Sequence, residues 1–164
     1  MKLKGRVLKY GDDINTDVIF PGRYTYKNLS PEEMASHAME DLDPDFSRKV
    51  KPGDIIFAGK NFGMGSSREQ AVLALKYSGI AAIVAKSFAR IYYRNCINAG
   101  LPAIELPSAV EAVREGDEVE IDLEGGRIIT PAGTFSFPPF PPRVREILTA
   151  GGLIPYTRKR LGLS

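Results

Sequence analysis

The chain has 164 residues, 43% of them hydrophobic, with 22 Lys and Arg against 20 Asp and Glu and a single Cys. That is enough apolar material for one domain with one core, while a formal charge of +2 gives no electrostatic footprint for nucleic acid. No apolar run approaches the roughly eighteen residues of a membrane span. A lone Cys forms no internal disulfide, and Met1 to Arg6 lack the apolar segment of a signal peptide, so a cytoplasmic chain is expected.

In chain order, Lys4 to Tyr10 reads as a strand and is followed by a polar loop carrying Asn15-Thr16-Asp17. Ser30-Pro31-Glu32-Glu33 is a capping box with proline at the first helical position, opening a helix that runs to about Glu40. Asp54 to Ala58, after the turn signal Pro52-Gly53, is a buried strand, and Ser67 to Tyr77 a helix. Ile80 to Ala85 is the next strand, and a helix from Ala89 to Asn98 ends at Gly100. Ala103 to Leu106 is a strand, Ser108 to Arg114 a short helix, and Glu118 to Asp122 with Arg127 to Ile129 a hairpin. The proline run Pro138 to Pro142 reads as a rigid connector into a helix from Arg143 to Thr149. Alternating elements make an α/β fold, and no repeat or long linker divides residues 1–164, which read as one domain.

The chemistry concentrates at Gly63-Met64-Gly65-Ser66-Ser67-Arg68-Glu69, a glycine-rich passage from strand to helix bearing two hydroxyls and a guanidinium. Gly63 and Gly65 permit positive φ and close backbone approach. Ser66 or Ser67 at the helix start would place an anion near unpaired N–H groups. Neither phosphate motif fits. The P-loop requires Lys before its Ser or Thr, and the dinucleotide fingerprint requires a small residue where Arg68 stands. A serine-capped helix with no chemistry is the plain alternative.

Three long blocks resemble one family. They are Gly11 to Tyr24, Gly59 to Ala71, and Ala85 to Pro102, and together they are similar to the small subunits of 3-isopropylmalate dehydratase and homoaconitase, in the aconitase superfamily. The resemblance implies a compact three-layer β/β/α swivelling domain like the C-terminal domain of aconitase. It implies a hydro-lyase that isomerises a small hydroxy acid by dehydration and rehydration, with Ser66 as an alkoxide base and Ser67, Arg68 and Gly65 binding substrate. The family's Lewis acid is a [4Fe-4S] cluster, normally held by several Cys thiolates. With only Cys96, this chain would bind no cofactor itself and would depend on a large, cluster-bearing subunit.

By the same resemblance, Arg23, Tyr24, Thr25 and Tyr26 form the loop over the substrate's variable group. Tyr24 and Tyr26 suit the branched apolar arm of isopropylmalate, whereas Arg23 and Lys27 could answer the distal carboxylate of homoaconitate. The homoaconitase pattern Tyr-Leu-Arg-Thr is replaced by Tyr24-Thr25-Tyr26-Lys27. Isopropylmalate is the favoured substrate, with homoaconitate or both as the alternative. A non-catalytic anion-binding module remains the reading of another class.

Elsewhere plainer roles are expected. His37 reads as a surface or satisfied histidine and Cys96 as a packed core thiol. Arg90 and Arg94 read as structural or interface residues, Asp12 and Asp13 as turn residues, and Asp17 as a residue that fixes the loop after it or the Ser66 loop. No metal site is expected in this chain.

Overall fold

The structure, a computed structural model, describes residues 1–163. It runs β1 (Lys2–Lys9), α1 (Thr16–Ile19), a 3-10 turn (Gly22–Tyr24), α2 (Pro31–His37), α3 (Phe46–Lys49), β2 (Ile55–Ala58), α4 (Gln70–Tyr77) and β3 (Ala82–Ala85). Then follow α5 (Arg90–Asn98), β4 (Ala103–Glu105), α6 (Pro107–Ala112), β5 (Glu118–Asp122), β6 (Arg127–Thr130), β7 (Gly133–Ser136), α7 (Pro142–Ala150) and α8 (Leu153–Arg160).

All seven strands join one sheet in the order β4-β3-β2-β1-β5-β6-β7. The long β1 serves both halves. Its first part pairs antiparallel with β5, Lys2 opposite Asp122 through Arg6 opposite Glu118. Its last part, Val7 to Lys9, pairs parallel with Ile55 to Phe57 of β2. The parallel half continues through β3 and β4, and the antiparallel half through β6 and β7.

Two apolar cores lie on opposite faces of the parallel half. Ile55, Phe57, Ala82 and Val84 point into a core shared with Val119, Ile121 and Ile128 of the antiparallel half and with α6 and α7. Their neighbours Ile56, Ala58, Ile83 and Ala85 point into the other core, against α1 to α5. The curled sheet therefore forms two layers and the helices a third, the β/β/α order expected. Because β2 and β3 are buried on both faces, their sequences read as unbroken apolar runs rather than alternating ones.

Most boundaries move by one to three residues, and the differences have local causes. Ser30 makes the anticipated capping box with Glu33, but α2 stops at His37 because Ala38 turns extended and Met39 adopts a positive φ of 59°. α4 begins at Gln70, not Ser67: the N–H groups of Val72 and Leu73 both reach the Glu69 carbonyl, and no serine side chain caps the helix. The expected hairpin gains a third strand, β7, too short and polar to signal itself. α1, α3 and α8 are additional to the expected elements; the first two are single turns, and α8 has no buried residue to create an apolar period.

Phe57 is fully buried where the two sheet layers meet. Phe57→Ala should cost about 3–5 kcal/mol of unfolding free energy, measurable as a lower denaturant midpoint. A loss below about 1 kcal/mol would show that the layers do not pack across this ring.

Candidate active site

The glycine turn leaves the carboxyl end of β2 and is gripped from both sides by the segments that follow β1 and β3. The chain after β1 donates from Asp13 N to the Lys60 carbonyl and accepts from Gly63 N at Ile14 O, at 2.7 and 2.8 Å. Thr16, itself buried, donates its amide to the Met64 carbonyl (2.9 Å) and its hydroxyl to the Ser66 carbonyl (2.8 Å). On the other side Phe62 N reaches the Ser87 carbonyl at 3.0 Å, and the Ser87 hydroxyl accepts from Asn61 N at 2.8 Å. A site at the carboxyl ends of adjacent parallel strands follows the general rule for open α/β sheets.

Gly63 is forced on this turn twice over. Its φ is +84°, and a Cβ there would fall 2.1 Å from Cγ of Tyr92, so the turn lies directly on α5. Tyr92 is buried and donates its hydroxyl to the Ala71 carbonyl at 2.9 Å, tying α5 to α4. Gly65 has room for a Cβ but holds φ +95°, a conformation that only glycine adopts at little cost.

Between the turn and α5 opens a cavity of about 230 Å³ lined by Thr16, Gly63, Gly65, Ser66, Ser67, Arg68, Ala89, Arg90, Ile91, Tyr92 and Asn95. Its lining holds two guanidinium residues and no carboxylate, which suits an anion. The side chains of Ser66 and Ser67 are exposed and have no hydrogen-bond partner among the described residues. The helix start that borders them is that of α5, whose N-cap Ala89 offers no capping side chain. The expectation that α4 supplies it is thereby corrected, because Ser66 lies four residues before Gln70.

Larger clefts, of about 750, 670 and 500 Å³, lie along α7 with α8, beside the proline run and on α8. None of these includes the glycine turn.

Arg68 is occupied. Its Nη1 donates to Thr25 Oγ1, and its Nη2 donates to Asp17 Oδ1 and to the Phe20 carbonyl, each at 2.9 Å. The side chain is only 12% exposed, and Nε is buried without a partner. Asp17 therefore joins the Ser66 loop to the loop after it through Arg68.

The four loop residues separate. Thr25 is joined to the site by Arg68, while Arg23 forms a bidentate pair with Asp41 at 3.1 Å and reaches Glu40 at 2.5 Å. Tyr24 stacks on His37 with ring centroids 4.0 Å apart and donates its hydroxyl to Glu40 at 2.8 Å. Tyr26 stands 99% exposed.

His37 is satisfied by Glu40, 2.8 Å from Nδ1. Burial pushes the Cys96 thiol well above its ordinary range, against the lowering effect of a Tyr92 hydrogen bond, so it is an inert core group. Asp12 and Asp13 serve the loop, accepting from Lys60 N and Asn61 Nδ2. Arg90 and Arg94 are exposed.

Thr16 and Asn95 escaped the sequence reading as site residues. Thr16 lies in the stretch Gly11 to Tyr24, but nothing local says that its hydroxyl grips position 66. Asn95 was more legible, since it lies beside the apolar stripe of Tyr92 and Cys96.

An aconitase C-terminal domain matches residues 14–109, more than half of the chain. The 3-isopropylmalate dehydratase small subunit of Thermodesulfovibrio yellowstonii is 53% identical, covering 99% of this chain and 98% of its own. The chain belongs to the family of 3-isopropylmalate dehydratase small subunits. Another family member, the isopropylmalate/citramalate isomerase small subunit of Methanocaldococcus jannaschii, is 52% identical over 99% of this chain and 97% of its own. A crystal structure of 3-isopropylmalate dehydratase LeuD from M. jannaschii superposes with a TM-score of 0.91 at 50% identity, covering 98% of this chain and 96% of the other. Aconitase X of Thermococcus kodakaraensis, at 16% identity and a TM-score of 0.51, shares the fold.

Arg68→Lys keeps the charge but cannot reproduce three hydrogen bonds from a planar fork. The variant should exchange backbone amides of residues 20–27 at least about tenfold faster, a loss of about 1.4 kcal/mol in local protection. Unchanged exchange would show that Arg68 does not hold this loop.

Proposed function

We propose that this chain is the small subunit of a hydro-lyase that interconverts 2-isopropylmalate and 3-isopropylmalate by dehydration and rehydration, the isomerisation of leucine biosynthesis. It brings the base to a site that a larger partner completes. The family membership supplies the reaction, and the carrying observation is the pair of unpartnered hydroxyls, Ser66 and Ser67, in a cavity bordered by arginine and no carboxylate.

Ser66 is the base. As an alkoxide it takes the proton from the carbon beside a substrate carboxylate: the C–H bond breaks, an O–H bond forms on Oγ, and the electron pair passes toward the carboxylate. A serine hydroxyl ionises far above neutral pH, so its alkoxide needs fixed donors and positive charge. Free N–H groups at the start of α5, the Gly65 turn and the charge of Arg68 behind it serve this purpose. One such preorganised donor is typically worth about 3 kcal/mol. Ser67 and Gly65 then bind a substrate carboxylate, with Arg68 acting as a fixed charge that also holds Thr25.

This chain's residues do not fit an iron–sulfur cluster. Its one thiol is buried, and no group of three or more His, Cys, Asp or Glu could hold a metal among the described residues. We assign the [4Fe-4S] cluster to the large subunit, where it would supply the Lewis acid for departure of the substrate hydroxide. Two features support a covering partner. The cavity is below the roughly 300 Å³ lower size of ordinary ligand pockets, and its rim carries Ile91, 59% exposed, with Met64 of the glycine turn also exposed. Among the described residues no helix is long and apolar enough to cross a membrane, in keeping with the cytoplasmic location we propose.

The loop favours isopropylmalate over homoaconitate. Arg23 is neutralised by Asp41 and Glu40, which leaves Lys27 as the loop's remaining cation for a distal carboxylate. The related M. jannaschii protein bears isopropylmalate and citramalate in its name. Steady-state assays of the two-subunit enzyme should give at least a tenfold higher kcat/KM on isopropylmalate than on homoaconitate, a difference of about 1.4 kcal/mol. The reverse preference would reassign the substrate.

In the same assembled enzyme, Ser66→Ala should lower kcat by about a hundred- to ten-thousandfold with a small change in KM. Near-normal turnover would remove Ser66 from the role of base.

A further inference from the structure

Two polar side chains of α5 line the Ser66 cavity, Arg90 at its exposed edge and Asn95 deeper in the wall, and Asn95 is the partly buried one. It lies one helical turn beyond Ile91, and both border that cavity, whereas Arg94, Ile97 and Asn98 border the neighbouring groove. Contact between the Gly63 turn and Tyr92 and the Tyr92 hydroxyl bond to Ala71 fix the orientation of the helix. The Asn95 side chain is half-buried, and its carboxamide makes no hydrogen bond among the described residues. A partly buried amide without a partner costs free energy unless a ligand or water satisfies it.

We infer that Asn95 is a catalytic residue of the isomerisation: its carboxamide N–H donates to the substrate carboxylate beside the carbon that loses its proton. The inference rests on the proposed function. As Ser66 removes that proton, the electron pair left behind spreads onto the carboxylate oxygens, which gain charge beyond that of the ground state. A neutral donor aimed at those oxygens binds the transition state more tightly than the substrate and so acts on kcat. The cavity is small enough that a dicarboxylic acid seated on Ser66 reaches the opposite, α5 wall.

The test compares wild type, Asn95→Ala, Asn95→Asp and Asn98→Ala in the small subunit, each assembled with the large subunit and assayed on isopropylmalate, unlabelled and deuterated at the reacting carbon. We expect Asn95→Ala to lower kcat about thirty- to a thousandfold and to raise the primary isotope effect on kcat. Asn95→Asp, which sets a negative charge against the carboxylate, should be slower still at neutral pH, and Asn98→Ala should match wild type. Co-elution with the large subunit should be unaffected. A kcat within threefold of wild type for Asn95→Ala overturns the inference, as does a loss accompanied by an unchanged isotope effect or by failed assembly, since both describe a structural role. A wild-type complex inactive on isopropylmalate would instead overturn the proposed function itself.

Discussion

The site depends on one buried residue, Thr16, which holds the glycine turn by two hydrogen bonds. Its amide fixes the Met64 carbonyl and its hydroxyl fixes the Ser66 carbonyl, so the backbone that carries Ser66, the proposed base, is anchored to the chain leaving β1. Exposed loops bearing two positive-φ glycines are ordinarily the easiest parts of a fold to move. Here the loop is clamped between the Asn15-Thr16 segment and Tyr92. A rigid support of this kind lets a weakly acidic hydroxyl meet preorganised donors, because the cost of orienting them is met when the chain folds and not at each turnover.

Much of this was legible beforehand. The unbroken apolar runs of β2 and β3 mark strands covered on both faces, and the Ser30 box and Gly100 stop mark helix ends with a mechanism. The three blocks that point to the family contain three neighbouring segments: Asp12 to Thr16, Asn61 to Arg68, and Ser87 running into α5 meet beyond the ends of β1, β2 and β3. What sequence hid were properties of contact. Nothing in Gly63 to Glu69 tells that Ser66 sits before the helix rather than at its start, because Thr16, fifty residues upstream, decides it. Nor does the sequence of Arg23 to Tyr26 reveal that Arg23 and Tyr24 turn to Glu40 and Asp41.

Arg68 illustrates what residue type alone leaves out. A guanidinium beside two serines suggests direct recognition of a carboxylate, and in the structure three of its donors meet Asp17, Thr25 and Phe20. Through these bonds it joins the loop proposed to meet the substrate's variable arm to the segment that carries Ser66, the proposed base. The polar side chains without a hydrogen-bond partner at the cavity, among the described residues, are the small neutral Ser66, Ser67 and Asn95 and the exposed guanidinium of Arg90.

The most direct test of the central claim is a double-mutant cycle between Thr16→Val and Ser66→Ala, read as kcat of the assembled enzyme. If Thr16 acts by aiming Ser66, Thr16→Val lowers kcat in the wild-type background but has no further effect once the Ser66 hydroxyl is gone. Losses that multiply in the double variant would contradict it and show that the Thr16 hydrogen bonds serve the fold independently of the base.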